Sequence, residues 1–340
     1  MGTKKKTVPA FVKKPEFITI VILIIMVIIV AALQGNFFTP SSLQNTIISW
    51  TPLILLTMGQ AVVIISGGLD MSSGNAMAFM LCILAAIMQD GSDGSGAVAI
   101  VVCFIAMIGI GLLNGVAVAY FKLPPIIATF ATSYIYLGAA LFIMPSPGGG
   151  CANWVRGFYK FSSVEGAPGV LTAIGNAIPT GVFMIIGVVI IWYVISRKKL
   201  GRYIYAVGSN RNIAYDCGVK TVKVQIMAYI FDAFCCMLAA LFLVGQNQSG
   251  SARLGDAMTL KSIASAIVGG VSLSGGSGNV YVTIGGAAII SLVSKLISFS
   301  GISSDYQTLA SGIILLAAVS MSAVIGLVKK LTSRGGEKNV

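Results

Sequence analysis

Ten apolar runs follow one another along this sequence, at 17–33, 46–66, 71–89, 97–120, 124–144, 168–195, 224–246, 258–273, 280–300 and 306–327. About 20 apolar residues in a helix are needed to cross the ~30 Å hydrocarbon layer of a bilayer. A chain built this way is expected to fold as an all-α, polytopic membrane bundle of about ten helices. Charged residues make up only 9% of the 340, against about 25% in a soluble domain. That is too few to cover a water-facing surface, so a soluble globule is excluded. The eighth run is short and holds Lys261, the second contains Pro52, and the fifth begins at Pro124–Pro125. Proline is tolerated in a first helical turn and kinks a helix deeper in.

The charges orient the bundle. With the N-terminus inside, the cytoplasmic segments are 1–16, 67–70, 121–123, 196–223, 274–279 and 328–340. They hold 17 of the 22 Lys and Arg residues. The remaining five, Arg156, Lys160, Arg253, Lys261 and Lys295, fall on the outer side or in outer halves of spans. Asp90, Asp93, Glu165, Asp256 and Asp305 balance them there. This is the positive-inside bias. The net charge of +12 is thereby explained by topology and does not argue for nucleic acid. The expected organisation is a cytoplasmic tail at 1–16, a transmembrane domain at 17–327 and a second cytoplasmic tail at 328–340. Lys4, Lys5 and Lys6 before an apolar run could mark a signal peptide; the length of the run from Phe17 to Leu33 favours an uncleaved first helix.

Several chemistries are excluded. There is no histidine, so no His-metal site and no His general base. The six cysteines form no C-x-x-C pair and four lie in apolar runs, which argues against zinc or a disulfide framework. No G-x-x-x-x-G-K-[ST] occurs; Gly276-Ser277-Gly278 lacks the lysine, so the chain has no P-loop of its own. One deep intramembrane acid, Asp232, is too little for a proton relay; it can equally pair with inner lysines.

Three regions stand out as carriers of function. The inner loop 196–223 holds seven basic residues. Ser209 or Asn210 can cap a short helix around 210–217, Gly218 can end it, and Ile213 and Ala214 give it a small apolar face. Two readings fit: a helix that docks in a partner's cleft, or a solvated loop that only orients the protein. The outer loop 145–167 carries Gly148-Gly149-Gly150 and the aromatics Trp154, Phe158 and Tyr159, which serve either a functional loop or an interfacial belt. The third region is the set of polar residues inside the spans, with Gln60, Asn114, Thr129, Ser133, Gln246, Asn247 and Gln248 as candidates to line a substrate pathway. Helix–helix bonding is the competing role. A weak internal repeat also shows: Gly67-Gly68-Leu69-Asp70-Met71-Ser72 before Ser73-Gly74-Asn75, and Gly269-Gly270-Val271-Ser272-Leu273-Ser274 ahead of Ser277-Gly278-Asn279. Duplicated halves are common in transporters.

Four ordered segments carry a resemblance. Ser66-Gly67-Gly68-Leu69-Asp70-Met71-Ser72 resembles the S-G-G-x-D-L-S segment of ribose-type ABC transporter permeases. Asn114-Gly115 with Lys122-Leu123-Pro124-Pro125-Ile126-Ile127-Ala128-Thr129 is similar to their N-G…K-L-P-P-F-I-A-T. Gly201-Arg202 through Asn210, closing at Gly218-Val219, resembles their G-R-x-x-x-A-x-G-x-N loop. Leu260 through Gly276 resembles the run ending V-x-G-G-x-S-L-x-G-G. Met71 and Ile127 depart from the usual leucine and phenylalanine. The resemblance covers roughly 50–330 and implies a bacterial inner-membrane importer subunit. It would pair with a second permease chain, identical or not, and work with cytoplasmic ATPases and an extracytoplasmic binding protein. It would hold no cofactor itself, ATP and Mg being bound by the ATPase.

The residues that would contact the ATPase are Ser209, Asn210, Arg211, Asn212, Ile213, Ala214, Tyr215, Asp216 and Gly218. Arg156, Lys160 and Arg253 are candidates to receive acidic residues of the binding protein. A pathway of amides and small residues suits a neutral hydroxylated solute, a pentose or hexose. Nucleosides and furanose-like signal molecules remain alternatives, as do a self-sufficient secondary carrier or channel and a non-transporting scaffold.

Overall fold

A computed structural model of the chain describes residues 15–159 and 179–299, together with Tyr306, Leu309, Gly312 and Ile313. Most of the expected span 306–327, the first eleven residues of the expected span 168–195, Lys160 with the rest of the outer loop to 167, and nearly all of both expected tails lie outside the described residues. Within them every regular element is a helix: α1 (Pro15–Leu33), α2 (Pro40–Ile65), α3 (Ser73–Ile87), α4 (Asp93–Ala119), α5 (Pro125–Ile143), α6 (Asn153–Tyr159), α7 (Thr180–Arg197), α8 (Lys199–Ser209), α9 (Arg211–Asp216), α10 (Thr221–Asn247), α11 (Met258–Val268) and α12 (Thr283–Phe299). Six helical segments among the described residues are long and apolar enough to cross a membrane: α2, α3 with its 3-10 extension to Asp90, α4, α5, α7 and α10.

The sequence patterns account for the helix ends. Pro40 and Pro125 occupy first turns, where their missing N–H costs nothing. Ser92 caps α4 by accepting from the Ser95 N–H at 3.2 Å. Pro52 lies inside α2 without ending it. The second half of α2, from Thr51 to Ile65, is buried throughout and forms the axis of the core with α10 and α3. Two glycines spaced four apart, Gly111 and Gly115 on α4, let α10 approach closely. A Cβ at Gly111 would stand 2.6 Å from the Ile230 Cα, and one at Gly115 2.8 Å from the Ile226 Cα. Small residues at such a spacing bring membrane helices into backbone contact. The outward faces are apolar at helical spacing: Ile20, Ile24 and Ile28 on α1, Val101, Ile105 and Leu112 on α4, Ile127, Tyr134 and Phe142 on α5, and Ile186 and Ile190 on α7. Side chains of this kind suit contact with lipid.

The bundle has a basic end and a far end. α8 and α9 sit at the basic end, against the end of α2 and the close of α4. The Gly148–Gly150 segment sits at the far end, where the Gly150 N–H bonds to the Ala85 carbonyl of α3 at 2.9 Å.

Three expectations change. The run 258–273 is an 11-residue helix that stops at Val268. It is preceded by an irregular segment that enters the bundle along α3. Gly250 lies against Leu81 and Ala85 near one end of α3, and Gly255 lies against Gly74 at its other end. α3 has 15 residues, about 22 Å at 1.5 Å per residue, and is itself preceded by an irregular stretch, 66–72. The basic segment 196–223 is not one loop with a short helix, because a second helix, α8, precedes it. The two glycine turns of the expected repeat share a helix ending, which α9 also has at Gly218, and it aligns them one residue away from the sequence register. Gly67 and Gly270 both take positive φ, at +84° and +86°, and each follows a helix closed by the same pair of bonds. Gly67 and Gly68 donate to Ile64 and Val63, and Gly270 and Val271 donate to Ile267 and Ala266. This is the Schellman ending, in which only glycine is free of Cβ strain at the left-handed position. Gly67 therefore corresponds to Gly270, not to Gly269.

Candidate functional site

Segment 66–72 enters the apolar interior without helical bonding, so its backbone groups require other partners. Gln60 and Thr129, singled out in the sequence, supply such partners, and so do Tyr229 and Gln225, which were not. The Gln60 amide clamps the Asp70 backbone, donating to its carbonyl at 3.1 Å and accepting from its N–H at 3.2 Å. Thr129 Oγ1 accepts from the Met71 N–H at 2.9 Å and faces the Leu69 carbonyl. The Tyr229 hydroxyl donates to that same carbonyl at 3.2 Å, and Gln225 reaches the Ser66 carbonyl at 3.4 Å. Asn114 is the hub. Its Nδ2 donates to Asp70 Oδ2 and to Ser72 Oγ, and its Oδ1 accepts from the Thr132 and Tyr136 hydroxyls. One turn into α3, the Asn75 side chain donates to Ser133 Oγ at 2.8 Å. Gln60, Asn114, Thr129 and Ser133 are all buried. The structure thus gathers these four sequence-flagged residues around one irregular segment, where they bond to it and its flanks.

Asp232 lies on the same level. It faces Asp70 and Gly59 rather than any lysine, and neither of its carboxyl oxygens receives a hydrogen bond. Asp70, by contrast, collects the Ser72 N–H at 2.7 Å, the Ser72 hydroxyl at 2.6 Å and Asn114.

At the basic end three glycine-rich segments meet backbone to backbone. The Gly276 N–H donates to the Ile65 carbonyl at 2.9 Å. Gly208, near the end of α8, fits where a Cβ would collide with the Ile65 carbonyl oxygen and stand 2.6 Å from the Gly276 nitrogen. A Cβ at Gly275 would stand 2.8 Å from the Gly208 carbonyl oxygen and 3.0 Å from the Gly67 Cα. Both glycine turns therefore meet the same helix. Further bonds fasten that helix and the next to the bundle: the Tyr205 hydroxyl to the Gly278 carbonyl at 3.1 Å, and Arg211 to the Ala119 carbonyl at 2.6 Å.

α9 forms as the capping pattern anticipates. Asn210 Oδ1 accepts from the Asn212 and Ile213 N–H groups at 3.0 and 3.1 Å. Gly218 closes the helix at φ +81°, its N–H bonding to Tyr215, with Val219 donating to Ala214. Of the short apolar face, Ala214 turns inward while Ile213 and Tyr215 are 61% and 69% exposed. A concavity of about 640 Å³ lies beside them, between α8 and α9, lined by Lys199, Arg202, Tyr203, Ile213 and Cys217 among others. The preceding helix, α8, was missed in the sequence although its signal was present. Gly201, Ile204 and Val207 form its buried face at helical spacing.

At the far end, Gln246 is half-buried, and Asn247 and Gln248 are exposed where α10 stops. Gln248 itself takes φ +53°. Arg156 is exposed on α6, which packs on α10, α4 and α7. Arg253 is exposed on the 3-10 turn 252–255, which packs chiefly on α3. The two arginines thus stand on different supports. Trp154 packs on Gly96 and donates to the Asp93 carbonyl at 3.3 Å.

These features coincide with a known pattern. The family described as the permease component of branched-chain amino acid transport systems matches residues 42–319, and the chain belongs to it. The ribose import permease protein RbsC of Escherichia coli K12 is 29% identical over 303 residues, covering 88% of this chain and 91% of that one. RbsC of Bacillus subtilis 168 is 32% identical over 300 residues, with coverages of 87% and 89%. The D-allose transport system permease protein AlsC of E. coli K12 is 29% identical over 316 residues, with coverages of 90% and 91%. No solved structure matches. The chain is a multi-pass membrane permease of the sugar ABC importer family.

Proposed function

We propose that this chain is the membrane-spanning subunit of a bacterial inner-membrane importer for a monosaccharide, and that α8 and α9 receive the force of cytoplasmic ATPases. The observation that carries the reading is the glycine junction. A basic helix pair with exposed Ile213 and Tyr215 is held through backbone contacts to both glycine turns. Glycine on all sides lets the backbones touch, so a displacement of α8 passes to segments 66–72 and 269–278 without slack in side chains. The arrangement we infer has ten spans with both termini cytoplasmic, which puts the basic end inside. Two permease chains, two ATPases and an extracytoplasmic binding protein complete the assembly. ATP binding and hydrolysis occur in the partner, and this chain supplies a route and a lever.

The relatives carry ribose and D-allose in their names, and similarity to them supports a pentose or hexose for this chain. Arg156 remains suited to a binding protein's acidic surface. Arg253, exposed on a separate support against α3, is suited to the same surface. Replacing Ile213 and Tyr215 together with aspartate tests the reading. The double variant should insert normally, lose the co-purifying ATPase and lose uptake. Full ATPase association with full uptake would refute it.

A further inference from the structure

One outward face of the bundle is not apolar. On the first three turns of α2 the residues recur as Ser41–Ser42, Asn45–Thr46 and Ser49–Trp50, a polar stripe at helical spacing. α12 answers it with Ser291, Ser294 and Lys295, and α11 with Lys261. Together they line a cavity of about 570 Å³, within the ~300–1,000 Å³ of small-molecule sites. It lies in the half of the bundle away from the basic end, because α2 runs from it to Ile65. Lipid cannot satisfy such a face, whereas α1, α4, α5 and α7 all present apolar side chains outward.

Resting on the importer reading, we infer that this cavity is the wall along which the solute passes, and that it takes a polyhydroxylated ring. No carboxylate lines it among the described residues, so nothing there selects a cation. The Thr46 and Ser49 hydroxyls donate to the Ser42 and Thr46 carbonyls of α2, which turns their oxygens into acceptors, and the Asn45 amide adds donor and acceptor, as a polyol requires. Lys295 is already engaged, donating to Thr46 Oγ1 at 2.7 Å and lying 5.0 Å from the centre of the Phe37 ring. It therefore props the stripe in place, while Lys261, half-buried on the wall, offers a donor to a ring hydroxyl. The half-buried Trp50 gives an apolar indole surface beside the hydroxyls, which suits the C–H face of a sugar ring. Gln60, Asn114, Thr129 and Ser133, the pathway candidates of the sequence, bond to segment 66–72 and its flanks.

The test uses the assembled transporter, with its ATPase and binding protein, in sealed vesicles. Uptake of ribose, allose, galactose and fructose is measured for the wild type and for Asn45→Leu, Ser49→Leu, Trp50→Phe and Trp50→Leu. Asn45→Leu, Ser49→Leu and Trp50→Leu should each lower uptake of the transported sugar about tenfold, equivalent to ~1.4 kcal/mol, with ATPase co-purification unchanged. Trp50→Phe should keep most of it. In parallel, Asn45→Cys and the lipid-facing Ile105→Cys are made with Cys151 and Cys217 changed to serine, and treated with a charged maleimide. Asn45→Cys should react and be slowed by the transported sugar, and Ile105→Cys should not react. Wild-type uptake in the Leu variants, or equal labelling at 45 and 105, overturns the cavity assignment. A wild type that takes up none of the sugars refutes the importer reading by itself, while labelling at 45 still decides whether the wall is wet.

Discussion

Asn114→Leu separates two roles that one residue can have in a permease. The asparagine makes four hydrogen bonds: 3.1 Å to Asp70 Oδ2, 2.8 Å to Ser72 Oγ, 2.7 Å from Thr132 Oγ1 and 3.2 Å from the Tyr136 hydroxyl. Two donors and two acceptors exhaust an amide's capacity. Leucine has similar bulk, so the loss is of bonding rather than volume. Hydrogen bonds between membrane helices average ~0.6 kcal/mol each, and bonds to charged groups are worth ~1.5–3 kcal/mol. The variant should therefore lose about 2–4 kcal/mol of stability, since Asp70 is left beside a methyl group and the Tyr136 hydroxyl loses its acceptor, while Thr132 keeps the Thr129 carbonyl at 3.0 Å. The assay is unfolding of the purified chain in mixed micelles by increasing denaturing detergent, with uptake followed in parallel. A cycle with Thr132→Val isolates one bond and should return about 0.5–1 kcal/mol of coupling. An Asn114→Leu protein within about 1 kcal/mol of wild type yet unable to transport would refute the reasoning, because that is how a lining residue behaves.

Other outcomes follow from the same geometry. Gly208→Val should keep ATPase association and abolish uptake, because its side chain would force apart Ile65 and Gly276; uptake within twofold of wild type would count against a backbone junction. Asp232→Asn should be about as stable as wild type, since the amide keeps a hydrogen-bond donor facing the neighbouring Asp70. A loss above about 1 kcal/mol in detergent unfolding would defeat this account. Asn210→Ala removes the two cap bonds of α9, should cost about 1 kcal/mol locally and should lower ATPase co-purification. Retention equal to wild type would mean that α9 holds its shape without the cap.

Hydropathy found the long helices because a span buried or in lipid along its whole length must be apolar along its whole length. Helices α2, α4, α5 and α10 were legible for that reason. The same criterion misread 258–273. A short helix and the glycine turn after it are both apolar, and a window cannot see that Gly269 and Gly270 end the helix. It also cut short the start of α2, since the window began at residue 46 and the polar turns Ser41–Asn45 look like loop. Those turns are polar because they face a cavity. Capping chemistry fared better at α9, because a cap depends on residues within one turn. The pathway candidates failed to sort for the opposite reason. Whether Thr129 bonds to Met71 or to a solute depends on a segment 58 residues away in sequence.

What the residues alone determined was the solvent: there is too little charge to live in water. Composition and local spacing suffice for that, since transfer free energies act on each segment separately. Which polar groups serve the protein's own backbone and which stay open to a solute was decided only by the packed bundle. A hydrogen-bonding side chain has no fixed role until the fold supplies, or withholds, its partner.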